Sequence, residues 1–296
     1  MRTLPILPKP LPPVLIPLLI FFFLSTSGCV DKGRMAADGA AALMKEVVTA
    51  ANRQSDAALV RQAVPSYLLI IEGLIQKYPD NPDLLLAGAQ VCGAYASLLE
   101  DSNRAVSFHK KAREYGFRAL NRHPALQGFP GETLEAFQQR LSRTGSADAP
   151  LLFGAGSAWG GWIANTDESV EAMAELPWVE ALMERVLQVA PDFYYGGAHL
   201  FKAILLSARP EQFGGNLKKA QEHFQEARRI GQGKFLMTEV YYAQYYARQR
   251  LDRDLFEGTL KRVLETPPDQ EPDLTLINTL ARQKAGKLLE QIDEFF

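Results

Sequence analysis

The chain has 296 residues, of which 47% are apolar and 22% are charged, and its formal net charge is −2. This length is ample for a large hydrophobic core. A net charge so close to zero gives no general positive potential that would attract nucleic acid. We therefore expect no nucleic-acid partner.

The first 28 residues have the order of a secretory signal peptide. Arg2 and Lys9 make a basic start, an apolar run covers Val14–Leu24, and small residues lead to Cys29. Basic, apolar and small segments in this order are typical of export signals. The apolar run is about eleven residues, shorter than the roughly twenty that a membrane-spanning helix needs. We therefore predict that residues 1–28 are removed.

Cys29 occupies the position at which a bacterial lipoprotein signal is cut and acylated. Thr26 departs from such signals, which usually carry an aliphatic residue there, so an ordinary secretory signal and an uncleaved anchor remain alternatives. Acyl chains would tether the protein, because each buried CH₂ contributes roughly 0.8 kcal/mol. We predict lipidation at Cys29, a tether over residues 29–34 and a single domain over residues 35–296. Asp31 lies one place beyond the position linked to inner-membrane retention, which favours the outer membrane.

Nearly all of the chain after Met35 has the pattern of amphipathic helices. Apolar residues recur at helical spacing over residues 59–75, and Asn81 with Pro82 provides a cap and a first position for the next helix. No alternating strand pattern holds for more than a few residues. The further helices predicted in chain order cover residues 82–99, 104–120, 132–141, 235–249 and 254–265.

Two parts of the chain show the sequence pattern of tetratricopeptide repeats. Each has a proline between units, small residues on its first helix and two alanines seven positions apart on its second, Ala105 and Ala112 in one part, Ala220 and Ala227 in the other. Small side chains let paired helices pack closely, and such units bury their faces only against neighbours. We predict an all-α fold, a TPR-like helical-hairpin bundle or solenoid.

A glycine-rich segment over residues 151–162 separates the two parts. It is not a phosphate loop, because no strand precedes it and no Lys-Ser or Lys-Thr follows it. Glycine and alanine at this density instead favour close helix contact. Trp159 and Trp162 are three positions apart and share a helix face, where they pack in the core or form the wall of an apolar cavity.

No constellation in the chain supports catalysis. The four histidines, His109, His123, His199 and His223, have no metal-ligand spacing, and no Gly-x-Ser-x-Gly elbow occurs. Cys92 lies in an apolar helical run, which favours a small buried hydrophobe over a nucleophile. We predict that the protein is not an enzyme and uses no metal or cofactor.

The most specific stretch covers residues 194–201 and continues to Gly215. His199 follows two tyrosines and two glycines there, and a core histidine is the commoner reading. Arg209 ends the same predicted helix, and Lys234 and Arg248 follow with further tyrosines. Cationic donors beside aromatic surface suit an amphiphilic carboxylate. The predicted ligand- or pore-lining residues are Trp159, Trp162, Tyr194, Tyr195, His199, Arg209, Tyr241 and Tyr245.

These segments together resemble the T component of tripartite ATP-independent periplasmic (TRAP) transporters, a family of TatT-like tetratricopeptide-repeat lipoproteins. The segments that carry the resemblance are Trp159–Ile163, Leu182–Arg185, Tyr194–Phe201, Arg209–Pro210, Gly214–Gly215, Lys234–Leu236 and Tyr245–Ala247. The resemblance implies a homotrimeric periplasmic lipoprotein whose partner is the substrate-binding P subunit. It implies a pore or cavity near that contact and no catalytic residue.

The leading hypothesis is a non-enzymatic, lipid-anchored scaffold that docks the P subunit and passes a small hydrophobic or carboxylate ligand. The alternative is a TPR-like lipoprotein that scaffolds envelope assembly without a small ligand. Its gene would then not lie beside transporter genes. An envelope hydrolase is a third class, which would need a metal site or nucleophile that the sequence does not reveal.

Overall fold

The computed structural model describes residues 32–99, 101–128, 130–166 and 169–296. It divides into a short N-terminal unit, residues 1–36, and one compact unit, residues 37–296. Within the described residues the regular structure is helical and no β-strand occurs. The predicted signal peptide and the lipidation of Cys29 lie outside the described residues.

The first helices are α1 (Lys32–Asn52), α2 (Ala57–Lys77), α3 (Pro82–Ala96) and α4 (Ser102–Arg122). Side-chain caps set where three of them begin, because Asp56, Asn81 and Asp101 accept hydrogen bonds from the otherwise unpaired amides of the first turn. Helices α3 and α4 pack as a hairpin across fully buried alanines, including Ala112. The predicted cap at Asn81 and the buried alanine position are thereby confirmed.

The central helices are α5 (Leu134–Leu141), α6 (Ala149–Ala164), α7 (Val170–Ala174) and α8 (Leu176–Val189). The glycine-rich segment forms α6, which packs against α3, α4 and α8. A Cβ atom added at Gly116 on α4 would lie 3.2 Å from Cα of Ala155 on α6, so the two helix backbones approach closely across small residues. The prediction that this composition serves close helix contact is confirmed.

The C-terminal part contains α9 (Phe193–Ala208), α10 (Leu217–Gly231), α11 (Met237–Tyr241), a π-helix (Tyr242–Ala247), α12 (Arg253–Glu265), α13 (Thr275–Glu290) and α14 (Ile292–Phe295). Ala220 and Ala227 on α10 are fully buried, in the positions that Ala105 and Ala112 occupy on α4. The recurrence confirms the all-α, helical-repeat prediction. The helix predicted over residues 235–249 is interrupted, because its second half is wound as the π-helix.

Helix α2 is unusual for its exposed apolar surface. It is long and apolar enough to cross a membrane, judged by length and composition alone, and 17% of its most apolar window is buried. Leu68, Ile71 and Ile75 face the core, whereas Leu69 and Ile70 are 70% and 52% exposed. One face of α2 is therefore left open.

The thiol of Cys92 lies on α3 and is fully buried. Burial raises its pKa to about 12, so the nucleophilic thiolate does not form near neutral pH. The predicted role as a small buried hydrophobe is confirmed.

Candidate functional site

A left-handed turn lies at the start of α9. Tyr194, Tyr195 and Gly196 have φ/ψ values of 49/53°, 56/35° and 76/30°. A bulky residue rarely adopts positive φ, and each costs about 1–2 kcal/mol there. Gly196 avoids that penalty, and its position also demands a small residue, because an added Cβ would lie 3.2 Å from Cα of Ala227 on α10. The surrounding packing thus holds two tyrosines in a conformation that they disfavour.

Aromatic contacts fix the two rings that this turn presents. The Tyr194 ring lies 5.3 Å from Phe153 on α6 and 5.8 Å from Phe235, measured between centroids. Tyr195 stacks on Phe235 at 5.8 Å with an interplanar angle of 19°. The turn therefore ties α6 to the segment that precedes α11.

Tyr194 faces an open recess. Its residue surface is 48% exposed, yet burial raises the pKa of its phenol. Both observations fit a tyrosine ring that protein surrounds on several sides and that water reaches from one side. Strained backbone of this kind is concentrated at ligand and active sites.

Tyr241 and Tyr245 continue the recess. Burial raises the pKa of Tyr241, and the charges of Tyr245 and Tyr194 raise it further, so both of these phenols lie within electrostatic reach of Tyr241. The Tyr241 and Tyr245 rings are 5.9 Å apart. We call the set Tyr194, Tyr195, Tyr241 and Tyr245 the tyrosine recess. Of the eight residues predicted to line a site, the structure brings these four together.

The tyrosine run at the π-helix presents its four rings as two pairs with different neighbours. Tyr242 and Tyr246 stack on each other at 4.9 Å and are buried against α10. The Arg228 guanidinium lies 3.8 Å from the Tyr242 ring centroid and pairs with Glu239. The other two tyrosines of the run are left for the recess. π-Helical turns are rare and are often found at functional sites.

Trp159 and Trp162 lie in a separate cluster between α4, α6 and the start of α8. Trp159 is 2% exposed, and its indole N–H donates to Glu175 at 2.6 Å. Arg113 pairs with the same carboxylate, and its guanidinium lies 4.3 Å from the Trp162 ring centroid. We call Arg113, Trp159, Trp162 and Glu175 the tryptophan cluster. The polar atoms of this cluster form hydrogen bonds and an ion pair with one another, as expected in a packed core.

His199 and His223 form a pair between α9 and α10, with their Nδ1 atoms 3.0 Å apart. One Nδ1 must donate a proton and the other accept it. Burial lowers the pKa of both imidazoles, and the charge of His199 lowers that of His223 further. No group of three His, Cys, Asp or Glu side chains that could hold a metal ion occurs among the described residues.

Arg209 and Lys234 each have an acidic partner. Arg209 donates to Glu180 at 2.5 Å, with both side chains about one quarter exposed, and Lys234 lies 3.2 Å from Glu271. These pairs neutralise two of the cations that the sequence offers to a carboxylate ligand. Arg209 thereby links the end of α9 to α8.

Two cavities adjoin the recess residues. One of about 580 Å³ lies beside the left-handed turn and is bounded by Tyr194, Tyr195 and Arg229. One of about 310 Å³ is bounded by Tyr245, Arg248 and Gln244. Both have room for a small organic molecule.

Lys284 on α13 was missed by sequence reasoning. Its Nζ lies 4.7 Å from the Tyr241 ring centroid. The sequence does carry a signal, because Lys284 is flanked at helical spacing by the buried residues Ala281 and Leu288. A lysine on the core face of a helix is uncommon unless it is paired.

The comparisons with known proteins agree with this architecture. A family model described as the TRAP transporter T-component matches residues 53–296. A protein of Treponema pallidum (strain Nichols), described as uncharacterized, is 24% identical over 264 residues, which cover 82% of this chain and 81% of that protein.

Proposed function

The chain belongs to the family of TRAP transporter T-components, and from this premise we propose that it is a scaffold that docks the periplasmic substrate-binding P subunit and passes a small hydrophobic or carboxylate ligand. Membership in the family implies an accessory role in a TRAP transporter and a location in the cell envelope. Docking, ligand passage and the absence of enzymatic activity are the proposed parts.

The strained turn at Tyr194 is the observation that carries the proposal. Two left-handed tyrosines cost about 2–4 kcal/mol together, and the packing of Tyr194 on Phe153 and Phe235 still leaves about half of that residue exposed. The turn is explained if Tyr194 contacts a ligand or a partner. The adjoining cavities and the tyrosine recess provide apolar surface for the body of such a ligand.

Co-purification tests the docking. The full chain, extracted in detergent, is mixed with a P subunit encoded beside its gene, and complex formation is measured by light scattering. We expect a complex that Tyr194→Ala weakens at least tenfold. Phe213→Ala is the matched control, because Phe213 is 70% exposed and lies outside the tyrosine recess. Absence of any complex at tens of micromolar would contradict docking and favour the envelope-assembly alternative.

The proposed anchor is the acylated Cys29, on the periplasmic face of the envelope and in the outer membrane. The supporting observation is the order of residues before Cys29. Cys29→Ala is expected to move the protein from the membrane to the soluble fraction and to abolish labelling by an alkyne fatty acid. Retention of both properties would overturn the lipoprotein assignment. Separation of inner and outer membranes by density distinguishes the two locations.

A homotrimer is the proposed assembly. The open apolar face of α2 supports a contact between copies, because Leu69 and Ile70 would be costly to leave in water. Leu69→Glu with Ile70→Glu is expected to reduce the mass of the detergent-extracted protein from trimer to monomer. Leu251→Glu, at a side chain 77% exposed on another surface, is the control. An unchanged trimer would place the contact elsewhere.

A further inference from the structure

Arg248 and Lys284 differ from the other half-buried cations of the chain. Each of those others, among the described residues, has a carboxylate or a backbone carbonyl as its partner; examples are Arg228 with Glu239, Lys234 with Glu271 and Arg282 with the Leu264 carbonyl. Arg248 and Lys284 are half-buried and have neither kind of partner in the part of the chain that the structure describes. Two half-buried positive charges therefore have no anion beside them among the described residues.

The ammonium group of Lys284 faces an aromatic ring. Its Nζ lies over the Tyr241 ring at 4.7 Å, and burial lowers the pKa of its ammonium group. A ring face attracts a cation less strongly than a carboxylate does, and it leaves the N–H donors of Lys284 unfilled. This arrangement costs stability unless something else binds there.

Arg248 completes the arrangement at the other end of the tyrosine pair. Its guanidinium lies 3.9 Å from the Phe295 ring centroid. Its charge also opposes the rise that burial causes in the pKa of Tyr245. Arg248 and Tyr245 both line the cavity of about 310 Å³. Gln244 lines the same cavity, and its amide oxygen is buried without a hydrogen-bond donor among the described residues.

The Tyr241 and Tyr245 rings connect the two cations. They lie 5.9 Å apart at a tilt of 53° and form one aromatic surface. Lys284 lies over the first ring, and Arg248 lies beside the second. We call Lys284, Tyr241, Tyr245 and Arg248 the cationic strip.

We propose that the cationic strip is a binding site for an organic carboxylate whose apolar body lies on the two tyrosine rings. The guanidinium of Arg248 binds the carboxylate through two N–H donors, and the ammonium of Lys284 supplies the second charge. The inference rests on the proposed function, since it assigns the ligand class and residues to the same recess.

Binding is tested with phenylalkanoates from benzoate to 6-phenylhexanoate, each compared with its neutral primary amide by titration calorimetry on the full chain in detergent. We expect one acid of the series to bind at least tenfold more tightly than its amide. Lys284→Met and Arg248→Met each remove about tenfold of that preference for the acid over its amide. Lys287→Met, on the exposed side of the same helix, leaves both affinities unchanged.

Thermal unfolding without ligand provides a readout that does not depend on the probe. Lys284→Met replaces an unpaired, desolvated charge by an apolar chain of similar length, so we expect Tm to rise by about 2–4 °C. Lys287→Met is expected to leave Tm within about 1 °C. A fall in Tm on Lys284→Met would show that Lys284 has a structural partner and would overturn the proposal.

The docking assay separates this inference from the proposed function. If Lys284→Met and Arg248→Met keep the P-subunit complex while losing the preference for acids, both ideas stand. Equal affinity for acid and amide throughout the series overturns the cationic strip and leaves docking intact. Carboxylate binding with no P-subunit complex supports the strip and rejects the scaffold role.

Discussion

The tryptophan cluster and the tyrosine recess are both built from aromatic rings and cations, but they differ in how their charges are met. In the tryptophan cluster, one carboxylate, Glu175, accepts from both Arg113 and the Trp159 indole. Beside the recess, Lys284 and Arg248 each lie over an aromatic ring and have no carboxylate partner among the described residues. The comparison teaches that aromatic composition by itself does not identify a binding surface. The informative feature is whether a half-buried charged group has a carboxylate or hydrogen-bonding partner in the fold.

The largest effect on stability should come from the tryptophan cluster. Trp159→Ala removes a side chain that is 2% exposed and leaves Glu175 without its indole donor. We expect the free energy of unfolding to fall by about 3–5 kcal/mol, measured by urea denaturation. Trp162→Ala, at a partly buried ring, should cost clearly less. Equal, small losses for both would mean that Trp159 lines a void, as the cavity-wall reading predicts.

The left-handed turn should give the next largest effect. Gly196→Ala introduces a Cβ at φ +76° and 3.2 Å from Cα of Ala227, so we expect a loss of about 2 kcal/mol or more in urea denaturation. Gly39→Ala is the matched control, because nothing lies within 4 Å of its added Cβ in the interior of α1. It should stabilise by about 0.5–1 kcal/mol. A neutral Gly196→Ala would remove the case for a constrained turn.

Arg209→Met tests the same comparison between paired and unpaired cations, with a smaller expected effect. The ion pair with Glu180 is about one quarter exposed, so its loss should cost about 1 kcal/mol after solvent screening is considered. Because Glu180 already satisfies Arg209, the preference of the cationic strip for acids over amides should not change. A tenfold loss of that preference would return Arg209 to the ligand site, where the sequence placed it.

The smallest effect concerns pH. Burial lowers the pKa of His199 and His223, so the unfolded chain binds more protons than the native one once the pH falls below about 6.5. Stability from this pair is therefore complete above that pH and is lost as the pH falls through the folded pKa values. His199→Gln with His223→Gln should unfold with a shallower dependence on pH between 7.5 and 5. An unchanged slope would assign the acid sensitivity to other groups.

The helices and repeats could be predicted from sequence because their causes are local. Asn81 and Asp101 mark helix starts by capping chemistry, and alanines seven positions apart mark the packed faces. The site was predicted only in part. Tyr194 and Tyr195 drew notice as a block, but residue propensity argues against left-handed tyrosines, so only tertiary packing could reveal the turn.

The ion pairs could not be predicted from the sequence for the same reason. Glu180 lies 29 positions before Arg209, and Glu271 lies 37 positions after Lys234. Which cations remain unpaired depends on such long-range contacts. Arg209 therefore drew attention as a ligand residue, while Lys284 drew none.

The π-helix has a consequence for how this surface could have arisen. A π-turn closes its hydrogen bonds one residue later than an α-turn, so the run Tyr242–Ala247 accommodates one residue that a regular helix would not. Deleting a single residue there would restore an ordinary helix, and the residues after the turn would keep their facing because the π-turn absorbs the extra residue locally. Only the side chains of the turn itself, Tyr245 among them, would be aimed differently. A one-residue insertion can therefore alter one face of a repeat helix while the helices that follow it keep their packing.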